Sequence, residues 1–348
     1  MYTKKEILEI PYVPPERNYW LVRTQSGKYY KSFHANDYIA IAWNEIDENI
    51  IKNTSSKKPL SKEKVFETYA NLYKQDEKKL KYYSRSSSRI ANAINRFTYG
   101  IKTGDIVIIP SVDSAEISFG EVLEDSIYFE KELPLTQPKE RSDEKFCPFI
   151  KRKKVKWLKT VRRSQLDPKL FALFHSHHTI SLADKEVYGN YIDRTIDSIY
   201  IKGDTAHLVL EVTKEQDINA LIFANLIKES VLSVNSLNSL SNDNEINGHN
   251  IKIKANVQSP GPVEFFGPIY EILFLTVIIK KTFGSEVISF RLGKKKDSNV
   301  DRLLKEFEKE HFRKYKEKIE TGPIDTDNLQ ESLENLGIHD PSQNLNSN

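Results

Sequence analysis

The sequence predicts an α+β protein, in which a mixed β-barrel with peripheral helices precedes a smaller α+β domain and a disordered tail. Its 348 residues exceed what one hydrophobic core usually supports, because domains contain on the order of 150 residues. Segments rich in β-branched and aromatic residues alternate with segments whose apolar residues recur at helical spacing. We therefore expect the following parts: a lead (1–15), a first domain (16–190), a partner domain (198–300), a charged helix (301–320) and a tail too polar to pack (321–348).

Composition excludes several classes of protein. The chain has 29% charged residues and a mean hydropathy of −0.54, which argues against a membrane protein. Its net charge of +3 is too small to indicate a nucleic-acid partner, so that inference must rest on local clusters of Lys and Arg. Cys147 is the only cysteine, which excludes an internal disulfide and a zinc site with several thiolates. Residues 1–15 lack the apolar stretch of a secretion signal, and we expect a cytoplasmic protein without a cofactor or a bound metal.

The first domain has predicted strands towards both of its ends and predicted helices between them. Ser61 precedes a helical pattern that runs from Lys62 to Lys81, and a second pattern runs from Ile90 to Phe97 and ends at Gly100. Strands are predicted at 19–24, 38–43, 106–110, 116–122, 126–133 and 151–161. Short polar turns separate the later strands, which favours a closed or nearly closed sheet over a parallel one.

Several short motifs of this domain match one known family in the same order along the chain. They are Trp20-Leu-Val-Arg23, Ile39-Ala-Ile-Ala-Trp43, the Gly104-Asp105 turn before an apolar strand ending at Pro110, Gly120-Glu121-Val122, and Val155-Lys-Trp157. The set resembles the EVE-like branch of the PUA-like barrels, in particular the N-terminal modules of Mrr-type and McrB-type modification-dependent restriction proteins. The chain departs from the family pattern at Ala42, where a glycine is usual, and in a polar insertion at 44–60.

The resemblance implies a pocket that accepts a single base, often a modified one, between aromatic faces. Trp20 and Trp43 would supply these faces, since stacking of a base on an aromatic side chain contributes roughly 1–3 kcal/mol. Arg23 would contact the base edge or a phosphate through its planar guanidinium. The alternatives are that both tryptophans pack in the barrel core and that Arg23 is a solvated strand residue.

Basic residues cluster at two places in this domain. The segment 151–163 contains eight basic residues and no acidic one, and the segment 82–89 interleaves two tyrosines and two arginines with serines in what reads as a loop. Such clusters are typical of contacts with a nucleic-acid backbone. Lysines that protect a sheet edge also explain the first segment, and an ordinary flexible loop explains the second. The predicted backbone contacts are Arg85, Arg89, Lys151, Arg152, Lys153, Lys154, Lys156, Lys159, Arg162 and Arg163.

The partner domain is predicted to begin with a hairpin turned at Lys202-Gly203-Asp204 and to contain an apolar helix near 265–283. That helix is too short to span a bilayer, and we expect it to be buried; an oligomer contact or a shallow membrane insertion are the alternatives. Asp204 and Glu211 flank an apolar strand, as in some metal-dependent nucleases. Lys214, however, is displaced by one residue from the Glu-x-Lys spacing and faces the other side of a strand.

The sequence therefore favours a binding protein over an enzyme. We expect it to recognise DNA, including modified DNA, or RNA, in phage defence or modification-dependent restriction. An effector nuclease or motor subunit is the expected partner, and 265–283 is the expected contact of a homo-oligomer. The alternatives are a metal-dependent nuclease with its active site in 198–300 and an oligomerising or membrane-associated effector.

Overall fold

The protein is an α+β protein that divides into two compact units. The computed structural model describes residues 10–131, 146–212, 218–239, 246–255, 261–283, 298–312, 315 and 326–338. The N-terminal unit comprises residues 17–191, and the C-terminal unit comprises residues 1–16 and 192–348. Parts of the expected lead, of the strand 126–133, of the charged helix 301–320 and of the tail lie outside the described residues, as does Lys214.

The N-terminal unit is built on one curled sheet, a half-barrel. After β1 (Tyr12–Val13), which belongs to the C-terminal unit, the strands are β2 (Tyr19–Val22), β3 (Tyr38–Ile41), β4 (Ile106–Pro110), β5 (Glu116–Val122), β6 (Tyr128–Phe129), β7 (Lys151–Arg162) and β8 (Ile180–Ala183). Their order is β3-β7-β5-β4-β2-β8, and β6 also pairs with β7. All pairs are antiparallel except β2 with β4. The predicted strands are thus confirmed in type, with β6 shorter than expected.

Helices of this unit pack apolar residues against the sheet. They are α1 (Tyr30–Ala35), α2 (Glu48–Lys52), α3 (Lys62–Leu72) and α4 (Glu77–Asn95), which continues into a π-helical turn at Arg96–Gly100. After β8 the chain forms α5 (Lys185–Ile196), which begins in this unit and ends in the C-terminal one. Side chains from helices and strands, among them Phe33, Ile39, Tyr69, Ile90 and Val155, form one buried core. The half-barrel is therefore stabilised by burial on one face.

The predicted helix from Lys62 to Lys81 is two helices. Ser61 caps the first as expected, because its Oγ accepts a hydrogen bond from the Lys64 N–H at 3.2 Å. The first helix ends at Leu72, and Asp76 caps the second by accepting from the Lys79 N–H at 3.0 Å. The turn between them brings α3 and α4 side by side, which matters for the site described below.

The C-terminal unit packs helices against a second sheet. Its strands are β1, β9 (Ile199–Lys202), β10 (Thr205–Val212), β11 (Lys252–Ala255) and β12 (Gly261–Pro268), in the order β1-β9-β10-β12-β11. Its helices are α6 (Ala220–Ser239), α7 (Ile269–Phe283), α8 (Ser298–Glu306), which is followed by a π-helical segment at Phe307–Phe312, and α9 (Asp327–Asn335). The predicted hairpin at Gly203 is confirmed, since β9 pairs antiparallel with β10 around a glycine with φ of +60°.

The apolar segment near 265–283 begins as a strand and not as a helix. Residues up to Pro268 pair with β10 and β11, and α7 starts at Ile269. Every residue from Glu271 to Lys280 is buried within the structure, so the expected burial of this helix is confirmed. Its apolar surface is covered by the core of its own unit, so burial of this helix needs no oligomer contact or membrane insertion. The homo-oligomer through 265–283 stays a prediction.

Helix α6 is long and rich in apolar residues. The window Ala220–Leu237 of α6 is long and apolar enough to cross a membrane, and 28% of it is buried. This helix packs with α7 and α9 inside the C-terminal unit. A single helix of this kind is weak evidence for a membrane span.

The tail is not disordered throughout. Residues 327–335 form α9, and Leu329, Leu333 and Leu336 are buried in the core of the C-terminal unit. Ile338 then pairs with Val212 at the end of β10. The tail was predicted to be disordered from the average polarity of 321–348, which does not reflect the position of these leucines. Their spacing places them on one side of a short helix.

Candidate functional site

Trp20 is a core residue, which corrects its predicted role as a stacking face. Its side chain is only 5% exposed, and its indole Nε1–H donates a hydrogen bond to Asp105 Oδ2 at 2.9 Å. The same carboxylate accepts from the backbone N–H of Asn18 at 3.0 Å and of Lys102 at 2.9 Å. A base cannot reach an aromatic ring that is enclosed in this way, so Trp20 and the Gly104-Asp105 turn hold the start of β2 against β4.

Arg23 also has a structural role, which corrects its predicted contact with a base or phosphate. Its Nη2 donates to the carbonyl oxygens of Phe174 and Ser176, at 2.5 Å each. These carbonyls lie at the end of the 3-10 helix Pro168–His175, where backbone acceptors lack helical partners. Burial lowers the pKa of Arg23, and the side chain ties this segment to β2.

The first three basic residues of β7 are buried, which corrects their predicted contact with a nucleic-acid backbone. Lys151 Nζ donates to the carbonyls of Trp43 and Ile46 at 2.7 and 3.0 Å, and Lys153 Nζ donates to the carbonyls of Ile101 and Asp125. Arg152 lies over the ring of Tyr38 and pairs with Glu130 at 3.0 Å. The first half of β7 pairs with β3, and its first two residues also pair with β6. Side chains alternate along the strand, so Lys151 and Lys153 enter the core on one face while Arg152 is covered on the other.

The later basic residues of β7 remain near the surface. Lys154, Lys156 and Arg162 are exposed, and Lys154 pairs with Glu124 at 3.1 Å. Lys159 and Arg163 are half-buried, and the Arg163 guanidinium lies over the ring of Phe171 at 4.6 Å. The predicted basic track is therefore shorter than the sequence indicates, and part of its charge is already used inside the protein.

Trp43 is partly accessible, unlike Trp20, although it also packs against the buried core of this unit. It is half-buried and follows β3 with a φ of +65°, in the left-handed region that side chains other than glycine rarely adopt. Its carbonyl oxygen accepts hydrogen bonds from Lys151 Nζ at 2.7 Å and from the Ile46 N–H at 3.0 Å. Such a conformation costs energy and persists only where surrounding contacts fix the residue, and residues of this kind cluster at binding sites. The buried lysine is one of these contacts.

A stack of tyrosines adjoins this turn, and the sequence motifs did not reveal it. The ring of Tyr69 on α3 stacks on the ring of Tyr83 on α4 with 3.7 Å between centroids, and Tyr73 lies nearly parallel to both. Tyr69 donates its hydroxyl hydrogen to Glu45 Oε2 at 2.8 Å. Burial raises the pKa of Tyr83 to about 12, and the neighbouring Tyr73 adds to the shift, so its hydroxyl stays protonated. The stack thus connects the 43–47 turn to α4.

Arg85 and Arg89 lie on this helix, which corrects the predicted loop at 82–89. Both arginines are exposed, and Arg89 Nη2 donates to the hydroxyl of Tyr82 at 3.2 Å. Ser86 and Ser87 donate to the carbonyls four residues earlier, which satisfies their hydroxyls inside a helix. The serine-rich composition therefore misled the loop prediction, while the surface position of both arginines agrees with a contact with phosphate.

The nuclease alternative receives no support from the C-terminal unit. Asp204 is exposed in the turn between β9 and β10, and Glu211 lies near the other end of β10. Within the ranges that the structure describes, no three His, Cys, Asp or Glu side chains come close enough to hold a metal ion. The acidic residues of this unit do not assemble a recognisable metal centre there.

We expect the contribution of Lys151 and Lys153 to the stability of the N-terminal unit to grow as the pH rises from about 8 to about 10.5. Burial lowers the pKa of both lysines from 10.5 to about 8, although Glu45 and Asp47 oppose the shift at Lys151 and Asp125 opposes it at Lys153. Between these pKa values the unfolded lysines bind more protons than the folded ones, so their contribution to the free energy of unfolding rises with pH and levels off above the unfolded value. Cys147 and Tyr38 act in the opposite direction above about pH 9, because burial raises their pKa values to about 11 and about 12. Each lysine contributes on the order of 1–3 kcal/mol over this range.

Guanidinium unfolding at a series of pH values, followed by tryptophan fluorescence, measures this effect. All three tryptophans lie in the N-terminal unit, so the signal reports on that unit alone. Relative to the double variant Lys151→Met, Lys153→Met, the wild type should gain stability over this range, whereas Lys154→Met at an exposed position should follow the wild type. An equal pH dependence of the wild type and the double variant would show that the two lysines do not titrate as described.

A family model for a domain of unknown function (DUF8426) matches residues 18–175. Comparison with the curated proteins and with the solved structures gives no match. The matched range lies within the N-terminal unit and contains Trp43, Glu45, the tyrosine stack and α4. The candidate site is therefore part of the matched domain.

Proposed function

We propose that the N-terminal unit is an EVE-like domain of the PUA-like superfamily that binds DNA or RNA by holding one extruded base, modified or not, at the 43–47 turn. The observation that carries the proposal is the partly exposed Trp43 in a strained conformation, whose carbonyl oxygen accepts a hydrogen bond from the buried Lys151. A fixed aromatic ring offers a stacking face at little cost in side-chain entropy. The ordered motifs from Trp20 to Trp157 support the same assignment.

Glu45 supplies the polar part of the proposed site. Its exposed carboxylate accepts one hydrogen bond from Tyr69 and retains capacity for further donors, since an ionised carboxylate has two acceptor oxygens. The exocyclic amino groups of cytosine and adenine are donors of the kind that a carboxylate accepts. An extruded base would therefore stack on Trp43 and present its amino edge to Glu45.

We extend the proposal to a cytoplasmic recognition protein of phage defence or modification-dependent restriction, on the strength of the resemblance. In such a system the present chain reads the nucleic acid, and an effector nuclease or motor subunit acts on it. The C-terminal unit would transmit the bound state to that partner.

Binding of labelled oligonucleotides to the full-length protein tests the proposal. We expect Trp43→Ala to weaken binding about fivefold to a hundredfold, which corresponds to the loss of roughly 1–3 kcal/mol of stacking. Trp43→Phe should retain part of the affinity because it keeps an aromatic face. Phe66→Ala is the matched control, because it removes an exposed aromatic ring from α3, and it should leave the affinity unchanged.

The oligonucleotides should include cytosine and adenine in modified and unmodified forms. Preference for one of them in the wild type, lost in Trp43→Ala, would identify the base that is read. A wild-type protein that binds none of these oligonucleotides at low salt would contradict the proposal. Equal effects of Trp43→Ala and Phe66→Ala would move the site away from the 43–47 turn.

A further inference from the structure

Helix α4 carries an unusually one-sided distribution of charge. After Glu77, residues 78–95 contain five basic residues and no acidic one. Lys79 is occupied within the protein, since its ammonium lies over the ring of Tyr73 and 3.6 Å from Asp76. Lys78, Lys81, Arg85 and Arg89 are exposed and have no acidic partner among the described residues. This differs from α3, where Lys62 and Lys64 each pair with a glutamate.

Three of these cations share one line along the helix. Lys78, Arg85 and Arg89 are separated by seven and four residues, which places them within about 40° of one another around the axis and about 10 Å and 6 Å apart along it. Tyr82 lies beside this line with 51% of its surface exposed, and its hydroxyl accepts a hydrogen bond from Arg89. We call this surface, formed by Lys78, Lys81, Tyr82, Arg85 and Arg89, the basic stripe.

Direct contacts connect the basic stripe to the 43–47 turn. Glu45 accepts from the hydroxyl of Tyr69, the ring of Tyr69 stacks on Tyr83 at 3.7 Å, and Tyr83 contacts Tyr82 edge to face at 5.1 Å. Tyr82 in turn contacts Arg89. The stripe and the proposed base site are therefore joined by a chain of contacts that passes through the buried ring of Tyr69.

We propose that the basic stripe binds a single strand of nucleic acid and leads it to the 43–47 turn. Phosphates lie on Lys78, Arg85 and Arg89, and one base stacks on the exposed face of Tyr82. The combination of a line of cations with an exposed aromatic ring is the one that single strands require, because their bases are free to stack on protein side chains. In a duplex the bases are stacked on each other, so Tyr82 gains nothing. This inference rests on the proposed function and specifies its ligand.

The salt dependence of binding tests the stripe in the full-length protein. The probes are a fluorescently labelled single strand, as DNA and as RNA, and the same DNA sequence as a duplex. For single strands the slope of log K against log salt changes by about 0.7 for each phosphate contact, so Arg85→Gln, Arg89→Gln together should reduce it by about 1.4. Lys62→Gln, Lys64→Gln makes the same change in charge on α3 and should leave the slope unchanged.

The variant Tyr82→Ala distinguishes base stacking on Tyr82 from electrostatic attraction between phosphates and the cations of the stripe. It should weaken single-strand binding about fivefold to a hundredfold and leave duplex binding unchanged. Wild-type binding that is tighter for the duplex, or a salt slope that both double variants reduce equally, would overturn this inference and leave the base site at Trp43 intact. A wild-type protein that binds no oligonucleotide would contradict the proposed function as well. If the protein binds anionic vesicles through Arg85 and Arg89 but binds no oligonucleotide through them, the stripe is a membrane-binding surface. That result would also overturn the inference.

Discussion

Asp105→Ala is expected to lower the free energy of unfolding of the N-terminal unit by about 3–5 kcal/mol. The carboxylate is 3% exposed and accepts three hydrogen bonds, from the N–H groups of Asn18 and Lys102 and from the indole of Trp20. Its removal leaves three donors without their acceptor, and an unsatisfied buried donor costs about 1–3 kcal/mol. The loss is large because one side chain joins the start of β2 to the turn before β4.

Asp105→Asn should lower the stability less than the alanine variant, because the amide oxygen of asparagine still accepts hydrogen bonds. Some loss should remain, because the amide nitrogen cannot accept. Glu124→Ala is the matched control, since this exposed acid only pairs with Lys154, and it should change stability by less than about 0.5 kcal/mol. Guanidinium unfolding followed by tryptophan fluorescence gives all three values. Asp105→Ala with the stability of Glu124→Ala would show that these hydrogen bonds do not hold the two strands together.

The strands of the half-barrel could be predicted, because their apolar and β-branched residues define them locally. The burial of Lys151 and Lys153 could not be predicted. A run of basic residues indicates a surface, and only the pairing of β7 with β3 on one side and β6 on the other shows that its first half is central. Long aliphatic stems let both ammonium groups reach backbone carbonyls inside the core. Tertiary pairing here overrides the charge pattern.

The candidate site was predictable only in part for a related reason. Trp43 was found from its motif, but the contact of Glu45 with Tyr69 and the stack of Tyr69 on Tyr83 depend on the break between α3 and α4. These tyrosines are 14 residues apart, and a single helix through 62–81 would not have brought them together. The cap provided by Asp76 was the signal in the sequence that could have located the break.

The segment that became β12 shows how an apolar run hides a polar residue with a structural role. Residues 265–283 were predicted as one helix, and Glu264 lay just outside it. In the structure Glu264 is fully buried on β12, and its Oε1 contacts His207 Nδ1 at 2.6 Å and the hydroxyl of Tyr200 at 3.2 Å. Arg194 Nη1 lies 3.7 Å from Oε2. When a short apolar strand runs directly into an apolar helix, the sequence pattern alone does not show where the strand ends and the helix begins.

Glu264→Ala is expected to lower the free energy of unfolding of the C-terminal unit by about 3–5 kcal/mol, because it leaves the buried Arg194 and His207 without their shared carboxylate. Burial by itself raises the pKa of Glu264, but the hydrogen bond and charge of His207, with Lys254 and Arg194, more than offset it and hold the pKa below its usual value. The carboxylate therefore stabilises the fold above the pKa of an unfolded glutamate, and this contribution is lost as the pH falls through the lower folded value.

Hydrogen exchange at the amides of β10 and β12 measures this stability directly, because the C-terminal unit has no tryptophan. We expect faster exchange there in Glu264→Ala and an unchanged rate in Asp204→Ala, which removes an exposed acid from the β9–β10 turn. Glu264→Gln should fall between them, since the amide keeps one acceptor oxygen but loses the charge. Equal exchange in Glu264→Ala and the wild type would mean that backbone pairing and apolar packing hold β10 to β12 without this carboxylate.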